Sequence, residues 1–376
     1  GKSNIVDSLD FLSRIAREET FEEALNGNNE KSGIRGGEWV IKKSAHSFCL
    51  KIFVDGLQDF DYLYSLKVNR KNSSSGHGFE ELLIEINENN SKQLGVTSLL
   101  KDATYHNFIT QENLEAYQRI WSDQPPWPRI YQQKVSCSGF NSIDIAQLSL
   151  IKVFNILKKI FVLDPIPSQM RNYSPLSKNL TRNAANISGV IAALPEPDRR
   201  SLEVQLQYYL SQISEGELRK IWAEPIGRLG KDAMLYCEEA WPNQSNLIID
   251  ATGMSDGTLR FLAILTAMLT RPEESLIVIE EVDNGLHPSR AGLLLQMLRE
   301  IGEKRKIDVL VTTHNPALLD ELAPDLIPFV MVTYRNKDTG ESQLIPLEDL
   351  DDLPKLIASG SLGTIVKKEL IEQSLK

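Results

Sequence analysis

Cysteine is scarce in this chain: Cys49, Cys137 and Cys237 are scattered through 376 residues, an odd set with no C-x-x-C pair. That excludes a disulfide framework, offers no zinc-ligand spacing, and fits a reducing, cytoplasmic compartment. Long apolar runs are missing too. None approaches the roughly 20 residues that cross a bilayer, and no basic-then-apolar leader opens the sequence, so a soluble, untargeted protein with no membrane partner is expected. Positive charge is in deficit, with 41 Lys and Arg against 51 Asp and Glu and a formal charge of -10. This argues against a surface that coats nucleic acid wholesale, while a local basic groove remains compatible with it. Internal repeats and long low-complexity segments are absent. So is any sustained heptad, which excludes a coiled-coil arm.

What is present centres on residues 275–288, SLIVIEEVDNGLHP. Leu276, Ile277, Val278 and Ile279 are an unbroken apolar run that reads as a strand buried on both faces, with Glu280 and Glu281 at its C-terminal edge. Open α/β sheets bind ligands at that edge. Two adjacent acids there repel each other, and a cation or a catalytic task explains them. Upstream stands Met254-Ser-Asp-Gly-Thr-Leu-Arg260 before an apolar helix. Downstream a second apolar strand, 307–313, runs into His314.

In this order and spacing the motifs resemble the ATP-binding-cassette ATPases of the SMC, RecF and OLD type: signature loop, Walker B strand, D-loop, switch histidine. The opening Gly1, Lys2, Ser3 and Asn4, followed by a helical pattern through Ile5, Val6, Leu9, Leu12 and Ile15, is similar to the end of a P-loop, G-x-x-x-x-G-K-[ST]. The resemblance implies an α/β fold: an ABC-ATPase head with a mixed central sheet, an antiparallel β-subdomain and an inserted helical lobe.

It also implies roles. Lys2 would hold the β and γ phosphates of ATP, and Ser3 and Glu280 would hold Mg2+. Glu281 would activate the attacking water, and His314 would sense the γ-phosphate. Ser255, Asp256, Gly257 and Thr258 would act in trans on a nucleotide held by a second copy, making a homodimer through ATP and the signature loops. Asp256 stands where the common LSGGQ pattern has Gly, and it either faces that phosphate or caps the helix. Residues 284–287 occupy the D-loop place, although His287-Pro288 reads equally as a turn before a helix. For the Q-loop glutamine, Gln111, Gln132 and Gln133 all qualify by position.

The rest of the chain reads in four parts. Residues 1–103 hold the P-loop end and alternating strands between Trp39 and Ile86. Residues 104–235 read as the helical lobe, from apolar residues at helical spacing such as Ile145, Leu148, Ile151, Leu202, Leu206 and Leu210. Arg171, Lys178, Arg182, Arg199 and Arg200 lie in it, as a solvated surface with acids nearby or a DNA-facing patch. Residues 236–346 carry the remaining motifs, with closing strands at 326–332 and 343–344 and a turn at 336–340. Residues 347–376 read as a helical tail interrupted at 359–363. The tail has neither the carboxylate array of a TOPRIM nuclease nor an HNH arrangement, so any nuclease or other effector is expected to be a separate chain. The expected function is a dimeric ATPase switch, with anti-phage defence as its setting by family analogy. RecF-like DNA repair and an ATP-clamped scaffold with little turnover are the alternatives.

Overall fold

In the computed structural model the described residues are 2–17, 19–27, 33–35, 47–54, 61–70, 77–87, 90–94, 153–213, 217–240, 247–336, 340, 342–350, 352–368 and 370–371. The chain divides into two compact units, residues 7–158 and residues 1–6 with 159–376. The helix Lys2–Ala16 opens in the larger unit and runs into the smaller one. Gly1 and the glutamines at 111, 132 and 133 lie outside the described residues.

In the smaller unit Phe11, Leu12 and Ile15 fall on one helical stripe and are buried. Arg14, itself buried, donates to the Glu19 carboxylate at 2.6 Å and to the Glu23 carbonyl at 2.7 Å. The next helix, Phe21–Asn26, is started by a capping box: Thr20 Oγ1 accepts from Glu23 N, and the Glu23 carboxylate accepts from Thr20 N. The alternating stretch forms β1 (Ser47–Val54), β2 (Asp61–Arg70), β3 (His77–Asn87) and β4 (Asn90–Leu94). They pair as an antiparallel meander in chain order, as the alternation predicts.

The larger unit holds β5 (Ile160–Leu163), β6 (Ser174–Pro175), β7 (Glu217–Ile226), β8 (Asp232–Ala240), β9 (Leu247–Asp250), β10 (Leu276–Ile279), β11 (Asp308–Val311), β12 (Met331–Arg335) and β13 (Ser342–Pro346). Both parallel and antiparallel sheets are present, so the fold is mixed α/β. The parallel sheet has the order β11-β10-β5. Its central strand is the LIVI run, and Ile277, Val278 and Ile279 are fully buried. Antiparallel β6-β8-β7, with β9 on β8, forms a second sheet, and β12 pairs with β13 in a hairpin. The helix Asp256–Thr270 buries residues on every side: Leu259 and every residue from Phe261 to Met268. That all-round apolar surface fits a helix packed inside a core rather than over one.

Three sequence expectations are corrected. The stretch 104–235 is not wholly a helical lobe: its described part, from 153, contains the helices Ile187–Ala192 and Glu196–Ile213 but also β5, β6, β7 and the start of β8. Ile160-Phe-Val-Leu163 is too short for periodicity to separate strand from helix, and its four buried residues are those of a central-sheet strand. A boundary at 235 also cuts β8 in two. Finally, the strand expected at 326–332 is a 3-10 turn, Pro324–Phe329, followed by β12. Pro324 and Pro328 lack the N–H groups that a ladder needs.

Cys237 lies on β8 with no exposed surface, and burial pushes its thiol up to about 12, with the Glu239 charge adding to the effect. Such a thiol is a packing group and not a nucleophile. Native chain treated with iodoacetamide at pH 8 is expected to show no modification of Cys237 in peptide-level mass spectrometry. Full modification is expected after unfolding in guanidinium. Labelling of the native chain at this residue would contradict the packing of β7 and β8.

Candidate functional site

Parallel pairing brings three strand ends level. Ile279 lies opposite Leu163 of β5 and Val311 of β11. The ladder runs one step further, with Glu280 N donating to the Leu163 carbonyl at 3.3 Å and Thr312 N to the Ile279 carbonyl at 3.0 Å. Asp164, Glu280 and Thr312 therefore stand side by side at the carboxyl edge, where open α/β sheets bind ligands.

Lys2 reaches the same edge from the other end of the sequence. Its ammonium donates to the Thr313 carbonyl and lies 3.3 Å from His314 Nδ1. Burial lowers the Lys2 pKa, opposed by the charges of Asp283 and Glu281, so both carboxylates act on this ammonium. Asp283 is in turn fixed by Thr313 Oγ1, which donates to its Oδ1 at 2.7 Å and accepts from Asn315 N at 2.9 Å. Asn315 then caps the helix Pro316–Asp320 through its side chain.

Glu281 has a backbone φ of 45°, in the left-handed region. A non-glycine residue there costs roughly 1–2 kcal/mol. The conformation is held by Glu281 N donating to Thr312 Oγ1 at 3.0 Å and Val282 N to the Thr312 carbonyl at 3.1 Å. As a result the chain turns sharply after Glu280. Glu280 is buried at 8% exposure, while Glu281 is exposed and its carboxylate accepts from Asn284 Nδ2 at 3.3 Å. One turn thus gives two neighbouring acids opposite environments.

The signature stretch starts the helix Asp256–Thr270. Ser255 is its N-cap, with Oγ accepting from Thr258 N at 3.1 Å and lying 2.8 Å from Thr258 Oγ1. Asp256 is not the cap. It sits in the first turn and is paired with Arg171 at 2.7 Å, while the same guanidinium group donates to the Met254 carbonyl at 2.9 Å. Gly257 lies against the turn after β10: a Cβ there would be 2.4 Å from the Gly285 carbonyl oxygen. Gly285 itself has φ 79°. His287 caps the 3-10 turn Pro288–Arg290 through Nδ1, so the turn reading of His287-Pro288 describes what it does here.

The donor set fits a nucleotide's phosphates: an ammonium, a histidine and the acid-free first turn of a 15-residue helix. Ser3 follows Lys2 in the first turn of that helix, and its hydroxyl and the Glu280 carboxylate are hard oxygens of the kind that magnesium takes. Among the described residues no group of three or more His, Cys, Asp or Glu could hold a metal ion. Asp283, Thr312 and Thr313 were not singled out from sequence. Their signal is positional, since two hydroxyl residues follow β11 directly before His314. Arg171 and Arg182 read as a solvated surface or a DNA-facing patch, yet each meets an acid of the candidate site.

Residues 183–320 match the family model described as "AAA domain, putative AbiEii toxin, Type IV TA system". The match supports an ATPase of the AAA/ABC type. It spans β7 to β11 and includes Ser255–Thr258, Glu280, Glu281 and His314. No curated protein matches the chain. Among solved structures, the Smc head bound to the C-winged helix domain of ScpA is similar at 11% identity over 92% of this chain and 86% of that one, with a TM-score of 0.45. The Smc head with an extended coiled coil from Pyrococcus furiosus, bound to the C-terminal domain of ScpA, is similar at 10% identity over 95% and 90%, with a TM-score of 0.35. Among the described residues no helix is long and apolar enough to cross a membrane.

The contact of Gly257 with Gly285 generates a test. Gly257→Ala is expected to destabilise the chain by about 1–3 kcal/mol, the usual range for overpacking a close contact. Urea denaturation measures it; an unchanged midpoint would show that the two segments do not touch.

Proposed function

We propose that the chain is a cytoplasmic, ATP-binding and hydrolysing switch, two copies of which pair through nucleotide and signature loops to control a separate effector protein. The observation that carries this reading is the meeting of Lys2 with His314, 312 positions apart, on the carboxyl edge that also bears Glu280 and Glu281. Phosphoryl transfer to water asks little covalent chemistry of a protein; it asks for placed charge and an aimed water. Lys2, half-buried and resting on a carbonyl, is suited to exchange that carbonyl for the β and γ phosphate oxygens. Glu281 is the exposed acid, and it is the one able to accept a proton from water. His314, 3.3 Å from the Lys2 ammonium, would register whether the γ-phosphate is present. Magnesium, held by Ser3 and Glu280, would neutralise phosphate charge.

The signature loop serves the second copy. Ser255 and the amides that follow it form an anion site at the start of a 15-residue helix, and the Arg171 pairing cancels the charge that Asp256 would otherwise set before a phosphate. The partner is read as protein rather than DNA because the basic residues of 171–200 are largely committed. Arg171, Arg182, Arg199 and Arg200 each pair with an acid, Asp256, Glu280 or Glu196. The description of the matched family, a putative toxin of a toxin–antitoxin system, supports a setting in bacterial conflict such as anti-phage defence.

Two variants test this. Glu281→Gln is expected to keep nucleotide binding while slowing hydrolysis by about 10²- to 10⁴-fold, the usual worth of a general base. Phosphate release and fluorescent-nucleotide titration read the two quantities, and undiminished turnover would reject Glu281 as the base. Ser255→Arg is expected to bind nucleotide as a monomer but to lose ATP-dependent pairing in analytical ultracentrifugation. Pairing that persists at wild-type strength would sink the trans arrangement.

A further inference from the structure

Glu280 is a carboxylate at 9% side-chain exposure, and Arg182 Nη2 lies 3.4 Å from its Oε2, itself three-quarters buried. We propose that Arg182 is a positioning residue whose guanidinium holds the counter-cation place at Glu280 until a metal–nucleotide complex arrives, so that a divalent ion enters with the nucleotide and not ahead of it. The proposal rests on the nucleotide reading given above and adds an order of binding to it.

Three observations carry it. The first is electrostatic. A carboxylate so far removed from water costs several kcal/mol unless a positive group compensates it; a guanidinium does this at every pH at which the protein is folded, because it does not lose its proton. The second is the rigidity of the support. Arg182 does not reach in from a loose surface. Its carbonyl accepts from Asp164 N at 2.9 Å, and the next residue accepts from Ile166 N at 3.0 Å, so its backbone is laid along the end of β5, the strand beside β10. The turn is closed from within by Asn186, whose side chain accepts from Thr181 N and donates to the Asn179 carbonyl, both at 2.9 Å.

The third is position. Glu280 and Asp164 follow paired strands and stand at equal depth, so Arg182 enters Glu280 from the β5 side, whereas Lys2 and His314 enter the edge from the β11 side. The cation at Glu280 is therefore separate from the cation that would face the phosphates. A bare divalent ion approaching Glu280 meets this fixed positive charge. At about 5 Å and an effective dielectric of several tens, that repulsion amounts to about tenfold or more in affinity. The negative charges of a triphosphate outweigh it, and the ion then binds as part of the nucleotide complex.

The test is Mn2+ binding to the full chain, read by electron paramagnetic resonance with and without a non-hydrolysable ATP analogue. Wild-type protein is expected to bind Mn2+ weakly alone and more tightly with the analogue. Without nucleotide, Arg182→Gln is expected to bind Mn2+ about tenfold more tightly than wild type, Arg182→Lys to fall between them, and Glu280→Gln to remove the gain. The metal-free Gln variant is also expected to melt lower than wild type and to recover on adding Mn2+. Equal or weaker Mn2+ binding by the Gln variant overturns the proposal; if that variant does not fold, Lys against wild type decides in the same way. If the analogue does not raise Mn2+ affinity in wild type, the nucleotide reading fails, while the ranking measured without nucleotide still judges Arg182.

Discussion

Parallel pairing of β10 with β5 and β11 is the constraint from which the candidate site follows. Backbone hydrogen bonds fix Ile279 level with Leu163 and Val311, so the residues that come next have no freedom in depth. Glu280 enters the edge beside Asp164 and Thr312 because the ladder runs one residue past the strands. The fully buried Ile277, Val278 and Ile279 hold that ladder in a water-free interior, where shifting its register would expose apolar side chains and strand backbone polar groups. The placement of the edge residues thus depends on apolar residues buried behind them.

The edge also sorts charges. Glu281 and Asp283 act on Lys2, Arg182 serves Glu280, and Arg171 serves Asp256. Glu281, Asp283, Glu280 and Asp256 each have a cation acting on them, and each of these cations is far along the sequence from the acid it meets. Burial lowers the pKa of the Lys2 ammonium while the two carboxylates push it back up. Exposed pairs of this kind contribute little to stability, so the worth of the Arg171 pair lies in what it neutralises. Glu280, being buried, depends far more on its neighbour.

The motifs themselves were legible in the sequence. An unbroken LIVI run ending in two acids reads as a buried strand and stands in the structure as read; the cap of the apolar helix, left open at Asp256 by the sequence, is Ser255. The antiparallel strands of 47–94 followed from alternation. Other features left no local trace. Ile160-Phe-Val-Leu163 follows residues at helical spacing and is too short to announce a change of period, so a strand of the central sheet was placed in a helical lobe. The ion pairs of Arg171 and Arg182 span 85 and 98 positions. No window of neighbouring residues distinguishes such an arginine from one that points into water. The left-handed Glu281 is likewise set by Thr312 on another strand, not by its own neighbours.

Gly257 and Gly285 meet backbone to backbone, with no room for a Cβ on Gly257 and a left-handed φ at Gly285. Where side chains mediate a contact, rotamers can absorb small displacements; here no side chain intervenes. The Asp256–Thr270 helix and the turn after β10 are joined like parts of a hinge pressed flat, without play. A tilt of that helix is handed directly to the segment carrying Glu281 and Asp283, making the fit of one loop a mechanical input to the other.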